Sequence, residues 1–194
     1  MSHSTEAGKL IAQPTTDGGT AALRNLYVVR FGFAVIWAGL LATGASTLNP
    51  LSVTLVVVYP LFDLAAAVYD LRSSGGTRPN VPLYVNMALS LLTAIGLAVA
   101  VGSGIPDALR VWGGWAITAG IVQLIVAIQR YRLGGQWAMI LSGGISVLAG
   151  SGFVVMASGA KASLAGLSGY ATLGGVFFLI SAIRLHRNAA RADR

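Results

Sequence analysis

Residues 51–62, LSVTLVVVYPLF, and residues 88–102, ALSLLTAIGLAVAVG, are apolar along their whole length and do not alternate apolar with polar positions. Only helices and closed barrels satisfy every backbone group inside a bilayer, and a barrel strand would alternate with period two. These runs therefore read as membrane-spanning helices. About 20 residues at about 1.5 Å per residue cross a hydrocarbon layer of about 30 Å. By that measure six stretches qualify, near residues 21–44, 51–71, 81–102, 108–131, 136–157 and 164–185.

Composition agrees with a lipid-embedded chain: 55% of 194 residues are hydrophobic, 10% are charged, and the mean hydropathy is +0.74. Short connections are punctuated by Asn49-Pro50, Arg78-Pro79, Val81-Pro82, Ile105-Pro106 and Gly134-Gly135, where proline and paired glycine disfavour a continuing helix. Residues 1–20 are rich in Ser, Thr and Gly and lack the apolar core of a secretory signal. They are expected to form a disordered cytoplasmic tail ahead of a membrane domain at 21–187, with a basic tail at 188–194.

Cysteine is absent, and His3 and His186 stand at opposite ends of the chain. No nucleophile beside a base, no phosphate-binding loop and no metal-ligand spacing is visible. No catalytic, cofactor-binding or metal residue is therefore assigned, and the chain is not expected to be an enzyme.

Charge fixes an expected orientation. Lys9, Arg24, Arg30, Arg72, Arg78, Arg130, Arg132, Arg184, Arg187, Arg191 and Arg194 belong with the N-terminal segment, the second and fourth loops and the C-terminal segment. Only Arg110 and Lys161 fall on the other side. The positive-inside rule then places both termini in the cytoplasm, and the +7 net charge signals topology rather than nucleic acid as a partner. The partner expected is the lipid bilayer, whose anionic headgroups the juxtamembrane arginines can also touch.

The ends of the even spans repeat: DLAAAVYDLR (63–72), QLIVAIQRYR (123–132) and FLISAIRLHR (178–187) share Leu64, Leu124 and Leu179, then Ala67, Ala127 and Ala182, then Arg72, Arg132 and Arg187. FGFAVIWAG (31–39) and GGISVLAG (143–150) echo each other more weakly in the odd spans, with AIG (94–96) in the corresponding place of the middle unit. The expected fold is all-α: six transmembrane helices as three parallel repeated hairpins, 21–72, 81–132 and 136–187, related by an axis along the membrane normal. Small residues spaced by four, at Ala34, Ala38 and Ala42, at Ser142, Ser146 and Gly150, and at Ala116 and Gly120, are expected as packing seams within the chain, in a homo-oligomer or against another membrane protein.

Three two-helix units, glycine-rich odd helices and even helices ending in arginine resemble the HdeD-type acid-resistance membrane proteins, small bacterial proteins of the inner membrane with a short repeated domain. The resemblance spans residues 21–187. It implies an inner-membrane location and a part in surviving acid or envelope stress, and it brings no catalytic residues to transfer.

Asp63 is the most pointed polar residue, nine positions inside the end of its span at Arg72 and so about 13 Å deep. An ionised carboxylate at the bilayer centre costs on the order of 3 kcal/mol on insertion scales, so such groups pair, protonate or line wet cavities. Arg30, inside the first span, is the cation within reach, unless it snorkels to the headgroups and Asp63 bonds a neighbouring helix instead. In the repeat, Asp63 aligns with Gln123 and Phe178. Asp63, Gln123, Asn86 and Arg30 are thus the candidate intramembrane polar site, either for a proton, cation or small solute or as interhelical hydrogen bonds. Trp112, Trp115 and Trp137 with Tyr27, Tyr84 and Tyr131 are expected as interfacial anchors, and Trp37 as a packed ring. Three roles follow: a stress-tolerance protein without enzymatic activity, a small transporter or channel using Asp63, or a scaffold subunit of a larger membrane complex.

Overall fold

The computed structural model describes residues 16–73, 81–129, 131–133 and 136–192, and every regular element in them is helical. Six helices run α1 (Thr16–Ala42), α2 (Pro50–Ser73), α3 (Val81–Ala100), α4 (Ile105–Gln129), α5 (Trp137–Ala157) and α6 (Ala165–Ala192). All six are long and apolar enough to cross a membrane. α1 begins at Thr16, inside the segment expected as a tail. α6 continues to Ala192, so its last turns occupy most of the expected basic tail. At about 1.5 Å per residue, α6 is about 42 Å long and extends beyond a hydrocarbon layer of about 30 Å. Residues 1–15, Arg78, Arg130 and Arg194 lie outside the described residues.

Local chemistry sets the helix ends. Asn49 caps α2: its Oδ1 accepts from the Ser52 N–H at 2.9 Å, while Ser52 Oγ accepts from the Asn49 N–H at 2.9 Å. This is a reciprocal capping box, and Pro50 takes the first helical position, where a missing N–H is harmless. α3 ends in a 3₁₀ turn at Val101–Ser103 and then Gly104, whose φ of +110° suits glycine. That permits an immediate reversal into α4. Pro60 lies inside α2 and removes one ladder bond there. In the preceding turn the Leu55 carbonyl accepts the indole N–H of Trp37 at 2.7 Å.

Each helix packs on its neighbours in the chain, and α6 packs on α1, so the six close into a ring. The broadest contacts join α4 with α5, α1 with α6 and α2 with α3. Helices α1 and α2, and α5 and α6, meet more sparsely than these. Apolar burial gains little in lipid, so the broad contacts must come from shape, and glycine supplies it. A Cβ on Gly120 would stand 2.7 Å from the Gly143 carbonyl oxygen, and a Cβ on Gly143 2.9 Å from that of Gly120. Gly113 and Gly150 meet in the same way, seven residues along each helix. A period of seven keeps the contact on one line of a left-handed crossing. At the α1–α6 contact Gly175 faces Ala34.

The even helices turn equivalent positions inward. Val56, Ala116 and Ala171 are buried, as are Pro60, Gly120 and Gly175, and Ala67, Ala127 and Ala182. Arg72, Arg132 and Arg187 are all exposed. The odd helices differ from their sequence echo: Ala38 is buried and Gly39 exposed in α1, whereas Gly150 is the buried member of the Ala149-Gly150 pair in α5. The two Ala-Gly pairs are out of register by one residue. Of the expected seams, Ala34, Ala38, Ala116, Gly120, Ser146 and Gly150 are buried, and Ala42 is exposed.

Candidate intramembrane polar site

α1, α2 and α3 bring three of the four expected residues together and add a fourth that the sequence did not mark. Arg30 of α1 forms an ion pair with Asp63 Oδ1. Asp63 Oδ2 accepts from Asn86 Nδ2 at 2.8 Å and from Ser90 Oγ at 2.7 Å, both donors coming from α3. Asn86 and Ser90 are four residues apart and share a helix face, which is why one carboxylate oxygen receives both. Of the two alternatives for Arg30, the structure has the pair, not the snorkelled side chain. Side-chain exposures of 15% for Arg30 and 18% for Asp63 mark the pair as part-buried.

Phe178 of α6 joins through Arg30: the guanidinium carbon lies 4.7 Å from the Phe178 ring centroid, a cation–π distance. Tyr27 packs against the same ring at 5.7 Å. Arg30 therefore ties α1 to both α2 and α6, and Asp63 extends the tie to α3. Gln123, half-buried on α4, is not among the groups bonded to Asp63. Equal depth put it in the same column, but α3 stands between α2 and α4 in the ring.

Four residues before Asp63, one turn along α2, Tyr59 enters an aromatic core. Its ring centroid lies 4.6 Å from Trp37, 5.4 Å from Trp112 and 6.1 Å from Trp115. Trp112 and Trp115, expected at the interface, are instead buried here with Trp37. Of the other expected anchors, Trp137, Tyr84 and Tyr131 are exposed, whereas Tyr27 is half-buried against Phe178. Across the bundle Tyr170 donates to, or accepts from, Ser146 Oγ at 3.0 Å, linking α6 to α5. Asp107 and Arg110 pair at the exposed start of α4.

Compared with known protein families, curated proteins and solved structures, the chain matches none. Among the described residues there is no group of three or more His, Cys, Asp or Glu side chains positioned to hold a metal. What the Asp63 cluster offers chemically is a part-buried ion pair whose carboxylate takes donors from three side chains, joining four helices of an apolar bundle.

Proposed function

We propose that this protein is a non-enzymatic, multi-pass protein of the bacterial inner membrane, of the HdeD type, that serves tolerance of acid or envelope stress. In this reading both termini are cytoplasmic and the three hairpins are parallel copies of one unit. The matching burial of the even helices supports the duplication, and the arginine-marked ends support the orientation.

The observation that carries the role is what holds the bundle together. Its closest contact, α4 on α5, is glycine against backbone, and α6 meets α1 with Gly175 against Ala34; neither has anything to titrate. Acid unfolding acts mainly through carboxylates that are paired in the native state. This chain has only 6 acidic residues, and one of them, Asp63, holds an ion pair that bridges helices. Such a scaffold suits a membrane facing low pH. The test is acid survival of a deletion strain complemented with the wild-type gene or with Asp63→Asn. Loss of survival on deletion, restored by the wild-type gene, is expected; equal survival of deletion and parent would overturn the role.

A second reading, passage of a proton or small solute past Asp63, is favoured by the residual exposure of the Arg30–Asp63 pair. Flux in proteoliposomes that disappears in a folded Asp63→Asn variant would establish it. A scaffold role draws on Gly32 and Gly39, where an added Cβ would meet nothing within 4 Å. There, purification in mild detergent should recover a stoichiometric partner or a homo-oligomer.

A further inference from the structure

Two donors in the aromatic core lack an acceptor. The indole N–H groups of Trp112 and Trp115 have no hydrogen-bond partner among the described residues, although the rings are only 0% and 8% exposed. Trp37, 1% exposed and stacked on Trp112 at 5.4 Å, shows the ordinary arrangement, its N–H donating to the Leu55 carbonyl. An unsatisfied buried donor is costly, and two on adjacent turns of one helix call for a ligand. The Trp112 and Trp115 rings stand edge to face, with an interplanar angle of 87° and centroids 5.4 Å apart. That geometry lets at most one N–H point into the other ring's π face.

The chemistry of the missing partner is constrained on three sides. An indole N–H only donates, so the partner must accept. It is not an anion: the intramembrane cation Arg30 is already neutralised by Asp63, and an unpaired charge in this core would be prohibitive. It is not a larger solute, because Trp37, Tyr59, Trp112 and Trp115 touch one another at centroid separations of 4.6 to 6.1 Å.

We propose that water is bound in the core beside Trp112 and Trp115, accepting from the indole N–H groups, with the Tyr59 hydroxyl as a further polar partner. Buried water typically makes about three such bonds. Tyr59 lies one turn before Asp63 on α2, which sets this water one helical turn from the ion-pair cluster. The inference goes beyond the stress-tolerance reading and does not depend on it.

The four tryptophans make the test self-controlled. In lipid nanodiscs, protein labelled with ¹⁵N at the indoles gives one N–H resonance for each. Trp37→Phe and Trp137→Phe identify the protected and the solvent-exposed references by the resonance each removes. In the wild-type protein, at least one of the two remaining indoles should show a cross-peak to water and exchange in D₂O at least tenfold faster than Trp37. If both are as protected as Trp37 and neither shows a water cross-peak, the proposal is overturned.

Discussion

Gly113 and Gly150 face each other across α4 and α5 with no room for a side chain on either: a Cβ on Gly113 would stand 2.6 Å from the Gly150 carbonyl oxygen, and one on Gly150 would stand 2.7 Å from that of Gly113. Backbone cannot step aside as a flexible side chain does. Gly150→Ala should therefore force α4 and α5 apart, at a cost of about 1–3 kcal/mol typical of overpacking. Gly144→Ala and Gly152→Ala, on the same helix in open space, should be neutral or slightly stabilising through helix propensity. Thermal unfolding of the three variants in one detergent checks the contrast, and equal melting temperatures would contradict the close approach.

The Arg30–Asp63 pair should behave as a coupled unit. Removing either partner leaves the other part-buried and uncompensated, which should destabilise by about 1–3 kcal/mol, between surface and fully buried pairs. Combining Arg30→Gln with Asp63→Asn should cost less than the sum of the two single changes. A double-mutant cycle on unfolding free energy reads the coupling directly, and strict additivity would remove the pair as a source of stability.

Ser90→Ala removes one of two donors from Asp63 Oδ2 and should destabilise by about 1 kcal/mol. Gln123→Leu, at the equivalent depth on α4, should leave stability and any flux unchanged or improve stability slightly. A flux defect in Gln123→Leu would put that residue back into the site.

Orientation is accessible because the chain has no cysteine of its own. A membrane-impermeant maleimide applied to intact cells should label Ser158→Cys, beyond the end of α5, and leave Asn188→Cys, on the last turns of α6, untouched until the membrane is opened. The reverse pattern would invert the topology.

The spans were legible because hydropathy and length are summed over some twenty residues, where single exceptions barely matter. Asp63 and Arg30 were legible as those exceptions, charges where lipid tolerates few. Ser90 was not, since serine sits in membrane helices without penalty and its role depends on which face of α3 meets α2. Trp112 and Trp115 misled because a tryptophan near a span end usually anchors an interface. α4 starts at Ile105, earlier than hydropathy suggested, which sets both rings deeper into the bundle. The Gln123 column failed for the same kind of reason. Aligned repeats give depth, whereas contact also needs rotation and neighbour order.

Closure of the ring between α1 and α6 also bears on how the chain is made. Arg24 and His186, in contact through their side chains at 3.3 Å, are 162 residues apart in the chain. α2 meets α3, and α4 meets α5, as soon as each follows the other from the ribosome. The stretch of α1 that packs on α6, where Ala34 meets Gly175, has to wait for the last helix, on the order of 10 s at usual synthesis rates. During that interval α1 is a half-matched helix in the bilayer, exposed to insertion factors, to proteases and to the α6 of another nascent copy. Truncation within α6 should therefore shorten the lifetime of the whole protein in the membrane more than loss of an equal length elsewhere.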